Sequence, residues 1–104
     1  MIDLKEAIAL LSSMKADIKN DIKDNKTGVA AICCYDGLNE RISYLKVCEK
    51  DYSPDCYAFL VHEEIASLIK ILSEMCEEGD FDADNEIAAN EYIKRLNVVL
   101  GKVK

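Results

Sequence analysis

Asp80, Asp82 and Asp84 alternate along the chain, and Glu86 and Glu91 follow them. Closely spaced carboxylates supply hard oxygen ligands, and hard oxygens suit a divalent cation such as Ca2+. The spacing approaches the calcium-loop template D-x-[DN]-x-[DN]-G-x5-E, a loop of about twelve residues between two helices. Asp80, Asp82 and Asp84 take its three leading acidic slots, Glu86 offers a carbonyl, and Glu91 takes the final slot. Asn85 stands where the template has glycine, Gly79 replaces the apolar residue that usually precedes the loop, and the chain has no second such loop. The alternative is that these carboxylates cap the next helix and oppose its positive end.

The same acids belong to a wider pattern. Between Lys70 and Lys94 there is no Lys or Arg, while Glu74, Glu77, Glu78, Asp80, Asp82, Asp84, Glu86 and Glu91 all fall there. Such a surface steers encounter with a basic partner. Without a partner, surface charge of this kind simply favours solubility.

Other reactive residues give less. His62 is the only histidine, and its neighbours Glu63 and Glu64 point away from it on a helix. Cys33 and Cys34 are adjacent and lack the CxxC spacing of thiol oxidoreductases. Cys33, Cys34, Cys48, Cys56 and Cys76 are an odd number, and we expect all five to be packing residues in a reducing compartment. There is no phosphate loop, no GxSxG and no HExxH. With four glycines in all, the chain has no glycine-rich nucleotide cradle. We expect a protein that is not an enzyme and needs no cofactor, with Ca2+ as the alternative.

These residues must be positioned by helices. Asp3 and Glu6 have capping-box spacing, and Leu4, Ile8, Leu11, Ile18 and Ile22, with Met14, form the stripe of a helix over about 3–24. Asn25-Lys26-Thr27-Gly28 breaks it. Residues 29–50 read two ways. Ala31, Tyr35, Leu38, Ile42, Leu45 and Cys48 keep helical spacing. Val29 to Tyr35 is also a continuous apolar run before an Asp36-Gly37 turn, which suits a hairpin with a return over Arg41–Cys48. Ser53-Pro54-Asp55 predicts a helix start and Gly79 a stop, giving a helix over 54–78, roughly 37 Å long. Its face is Ala58, Val61, Ile65, Leu68, Leu72 and Met75. The last helix starts at Asp84 or Asn85 as cap and presents Ala89, Ile93, Leu96, Leu100 and Val103. The expected fold is all-α, an antiparallel four-helix bundle in one domain over 1–104. The alternative is α+β, with a β-hairpin at about residues 29–48.

The chain has 104 residues, half of them apolar, and a net charge of −7. That charge argues against direct nucleic-acid binding. No apolar run reaches the ~20 residues that span a bilayer, and Met1-Ile2-Asp3-Leu4-Lys5-Glu6 lacks the apolar core of a signal peptide. We therefore expect a cytoplasmic protein that engages neither membrane nor nucleic acid.

Short pieces of the chain resemble the immunity proteins of the colicin D type. They are Met1-Ile2-Asp3-Leu4 opening the first helix, Lys50-Asp51-Tyr52-Ser53-Pro54 opening the third, Glu63-Glu64 within it, and Asp82-Ala83-Asp84 before the last. The resemblance implies a small acidic four-helix bacteriocin immunity protein. Such a protein binds a basic tRNase domain and covers its active site with carboxylates that stand in for RNA phosphates. Carried onto this sequence, it makes Glu63, Glu64, Asp82 and Asp84 candidate contacts. The acid run adds Glu77, Glu78, Asp80 and Glu86. A third expectation is a self-associating adaptor that pairs through the stripe of the 54–78 helix.

Overall fold

A computed structural model describes residues 2–24 and 28–103. Four helices account for almost all of them: α1 (Leu4–Lys23), α2 (Val29–Asp51), α3 (Tyr57–Glu77) and α4 (Ala83–Val103). A short 3-10 turn, Pro54–Cys56, precedes α3. The helices run alternately up and down and pack as an all-α bundle. The break expected at Asn25, Lys26 and Thr27 lies outside the described residues.

α1 starts as its sequence predicts. The Asp3 carboxylate accepts the Glu6 backbone N–H at 2.8 Å, which satisfies one of the free donors at the helix start. Leu4, Ala7, Leu11, Met14 and Ile18 are buried, with Ile8 and Ile22 packed at the margin. The Ile2 N–H donates to the Lys102 carbonyl at 3.0 Å and ties the start of the chain to the end of α4.

The hairpin alternative for 29–48 is overturned, because α2 is one continuous helix across it. The cause of the ambiguity is packing. α2 lies centrally and touches α1, α3 and α4. A helix with neighbours on several sides carries apolar residues over most of its circumference and loses its clear polar face. Its buried residues are Ala30, Ala31, Cys34, Leu38, Ile42, Leu45 and Cys48. Gly37 permits close approach of α3, since a Cβ there would stand 2.5 Å from Leu68 Cδ1. Next to it, Arg41 staples α2 to α3: Nε donates to the Glu64 carbonyl at 2.9 Å, and a terminal nitrogen to Ser67 Oγ at 2.9 Å.

Two details of α3 differ from expectation. Ser53 makes no side-chain cap to a backbone N–H, and the chain enters through the 3-10 turn instead. Ala58, in the first turn of α3, is exposed rather than buried. Tyr57 is half-buried in its stead, and its hydroxyl donates to the Glu49 carbonyl at 3.0 Å. Val61, Ile65, Leu68 and Leu72 form the core face as expected, with Met75 at its edge. Since this stripe is buried within the bundle, it is closed to the self-association expected of it.

α4 begins at Ala83, two to three residues earlier than a cap at Asp84 or Asn85 requires. Ala89, Leu96 and Val103 are buried and Ile93 and Leu100 half-buried, while Ala88, Tyr92 and Val99 are also buried. The broader face follows from packing on both α3 and α2. Arg95 pairs with Asp17 of α1 at 2.7 Å. No helix among the described residues is long and apolar enough to cross a membrane.

Candidate functional site

The carboxylate run sits where α3 hands over to α4, and the turn between them is firmly built. The Asp80 N–H donates to the Met75 carbonyl at 3.0 Å, and the Gly79 N–H to the Cys76 carbonyl at 3.3 Å. These two bonds are the Schellman pattern, which needs a left-handed residue at its pivot. Gly79 supplies it, with φ of 76°. Phe81 then turns inward and is buried, anchoring the turn to the core.

Asp82 is the cap of α4. Its Oδ1 accepts both the Asn85 backbone N–H and the Asn85 side-chain amide, each at 2.9 Å. Those bonds, the backbone one first, hold the Asp82 carboxyl below its ordinary value. Asn85 also reaches across the bundle: its Oδ1 accepts the Ala30 N–H at 3.0 Å. α2 starts at Gly28, which has no side chain to cap it. Asn85 therefore caps α2 from a position 55 residues away and clasps the first turns of α2 and α4 together. Neither the calcium template nor the α4 cap expectation gave it this role. Its partner is remote in sequence, and Asn85, flanked by Asp84 and Glu86, carries no local signal of it.

The acidic side chains around this clasp are open. Glu77, Glu78, Asp80, Asp82, Asp84, Glu86 and Glu91 are all exposed. Among the described residues none of them pairs with a Lys or Arg; Glu74 alone meets Lys70, at 3.9 Å on the surface. Glu77 and Glu86 come from different helices but act on the same thiol. Burial, then Glu86, then Glu77 push Cys76 above its usual value. Glu77 at the end of α3 and Glu86 near the start of α4 thus both lie near Cys76.

Glu63 and Glu64 do not join this group. They lie thirteen or more residues before Glu77 on α3, roughly 20 Å along the helix. Glu63 lies 4.0 Å from His62 Nδ1. Glu64 is half-buried against α2, where its carbonyl accepts from Arg41.

The stretch that the calcium template needs as a loop is helix from Ala83 onward. Asp84 and Glu91 therefore stand two turns apart on one face of a rod, with Glu86 on another face, rather than converging. Among the described residues no three His, Cys, Asp or Glu side chains are grouped to hold a metal ion. The cysteines divide as well. Cys34 and Cys48 are buried and Cys33 and Cys76 half-buried, but Cys56 is exposed and is not the packing residue expected, because the 3-10 turn that holds it stands off the core. Burial, with smaller contributions from its neighbours, pushes the Cys34 thiol up to about 12.

No family model, curated protein or solved structure matches this chain.

Proposed function

We propose that the protein is a non-catalytic inhibitor of the immunity type, which neutralises a basic toxin domain by covering its active site with carboxylates. One observation carries this reading. Exposed acids from two helices and a rigid turn meet at one end of the bundle, with no cation of the described residues paired to Glu77, Glu78, Asp80, Asp84 or Glu86. Preorganised charge of one sign speeds association with an oppositely charged cleft, and close charge pairs formed there can be net favourable. The resemblance to colicin D-type immunity proteins narrows the partner to a nuclease, with a tRNase first.

Glu77, Glu78, Asp80, Asp84 and Glu86 form the working cluster, and Asp82 contributes its one oxygen not taken by Asn85. Glu63 and Glu64 would touch the same partner only if its footprint extended roughly 20 Å along α3. The test is binding to a toxin domain encoded beside this gene, across a salt series. Glu78→Lys and Asp80→Lys are the variants of choice, since neither side chain supports the fold. Each reversal should slow association and weaken affinity by tenfold or more, and the double variant should flatten the salt dependence. Binding that is unchanged by both reversals removes the electrostatic mechanism.

A further inference from the structure

We infer that the outward face of α4 is a docking surface for a second copy of this chain, with the two α4 helices antiparallel about a two-fold axis. Asp84, Ile87, Glu91, Lys94, Val98 and Gly101 follow one another at alternating three- and four-residue steps. They therefore form a single stripe. It points away from the core: Ile87 is 64% exposed and Val98 57%, and the other four residues are exposed too. Ile87 and Val98 are thus large apolar side chains on the solvent side of the helix, roughly 16 Å apart along it.

The order of residues names that partner. Fold the stripe back on itself about its midpoint, between Tyr92 and Ile93. Ile87 then meets Val98 of the other copy, Glu91 meets Lys94, and Asp84 meets Gly101. Each layer occurs twice, so every apolar residue faces an apolar one and every glutamate a lysine. The flanks agree, because Asp84, Glu86 and Glu91 occupy the first half of α4 and Lys94, Arg95 and Lys102 the second. A two-fold interface requires such self-complementarity, and an antiparallel helix pair supplies it. A parallel pair would set Glu91 on Glu91 and Lys94 on Lys94.

Two features of the surface fit the same occupant. A shallow depression lies on this face, lined by Glu91, Tyr92, Lys94, Arg95 and Val98, where the Ile87 side chain of the second copy would rest. Gly101 is the other. A Cβ there would meet nothing within 4 Å, so the protomer itself has no use for a glycine that weakens its helix. A neighbouring helix that must approach closely does. The stripe from 84 to 101 runs about 26 Å, and one helix pair of that length sits at the small end of specific interfaces, near 1,000 Å2. The dimer is therefore a weak, concentration-dependent one. Asp84 belongs both to the stripe and to the proposed carboxylate cluster, whereas Glu77, Glu78, Asp80 and Glu86 lie off the stripe, so the rest of that cluster stays open in the dimer.

Sedimentation equilibrium of the full chain under reducing conditions, over about 10 µM to 1 mM, tests this without any other partner. The mass should rise from 11.7 kDa toward twice that. Glu91→Lys should weaken the dimer at least tenfold by setting lysine against lysine, and adding Lys94→Glu should restore it. Ile87→Asp should abolish it. All these positions are exposed, and helical circular dichroism verifies that each variant folds. A carbodiimide crosslink between Glu91 and Lys94, made in a mixture of 15N-labelled and unlabelled protein, should join one labelled and one unlabelled peptide. A chain that stays monomeric at 1 mM overturns the inference and leaves the face to a different protein. A dimer indifferent to Ile87→Asp, or a double swap that fails to restore what Glu91→Lys removed, overturns it equally.

Discussion

Replacing Asn85 with alanine is the sharpest test of how this bundle is held together. The substitution removes the acceptor of the Ala30 N–H at 3.0 Å and the donor to Asp82 at 2.9 Å. Ala30 is fully buried, so its N–H has no ready water to turn to. Losing a helix cap costs about 1 kcal/mol, within a range of roughly 0.5–2. An unsatisfied buried donor costs about 1–3 kcal/mol, and the two figures describe largely the same loss. Alanine returns up to about 0.7 kcal/mol through its better helix propensity. The net expectation is a loss of about 1–2 kcal/mol, or roughly 5–12 °C in Tm for a domain of this size. Urea unfolding followed by circular dichroism should show a lower midpoint with an unchanged slope. Hydrogen exchange should localise the damage, with protection lost at Ala30 to Ile32 of α2 although the substitution lies in α4. Asn90→Ala, on the exposed side of α4, is the control and should cost nothing. Asn85→Asp keeps the acceptor but sets a second carboxylate beside Asp82. The repulsion is present at neutral pH, where both carboxylates are ionised, and shrinks as pH falls and either is protonated. A loss below about 0.3 kcal/mol for Asn85→Ala, or unchanged exchange at the start of α2, would refute the clasp; substitutions distant from such features normally stay within about 0.5.

Gly37→Ala and Gly101→Ala should move stability in opposite directions. The first drives a Cβ to 2.5 Å from the buried Leu68, and overpacking of about 1–3 kcal/mol outweighs a propensity gain of about 1 kcal/mol. The second meets open space and should stabilise the protomer by about 1 kcal/mol; thermal melts at low concentration compare the two. Thiol labelling at pH 8 should modify exposed Cys56 at once, whereas Cys34, its thiol up at about 12 and buried, should react only at the rate of global unfolding. Asp82 has a folded pKa below its ordinary 3.8. Its contribution is present above the unfolded value and lost as pH falls through the folded one. Acid unfolding of Asp82→Asn should therefore be less steep below pH 3.8 than that of the wild type.

What the sequence disclosed depended on how far apart the partners stand. Asp3 and Glu6, or Met75, Gly79 and Asp80, settle their business within one or two turns, and their motifs were readable. The faces of α1 and α3 were readable because each has one dominant side toward the core. α2 read two ways, because its surroundings on several sides blur the periodicity that separates a helix from a strand, yet Ala31, Leu38, Ile42, Leu45 and Cys48 are buried as its helical spacing predicts. The start of α4 was misplaced for a related reason. Asp82, Asp84 and Asn85 are all good caps, and Asp82 takes the role while the Asn85 side chain is committed to Ala30 on another helix. Nothing within a short window of sequence could record that commitment. Of the candidate carboxylates, those on either side of the turn stayed together because Gly79 and Phe81 fix it. Glu63 and Glu64 separated from them because a straight helix carries its residues away at 1.5 Å each.

The bond from Asn85 to Ala30 also sets an order of events in the cell. Chains are synthesised from the N-terminus at about 5–20 residues per second, so α2 emerges complete seconds before Asn85 exists. Until then its first turn has no acceptor for Ala30 and must stay frayed or borrow water. The start of α2 can therefore be capped only after the start of α4 is made, and the finished carboxylate surface forms only once the last quarter of the polypeptide has left the ribosome.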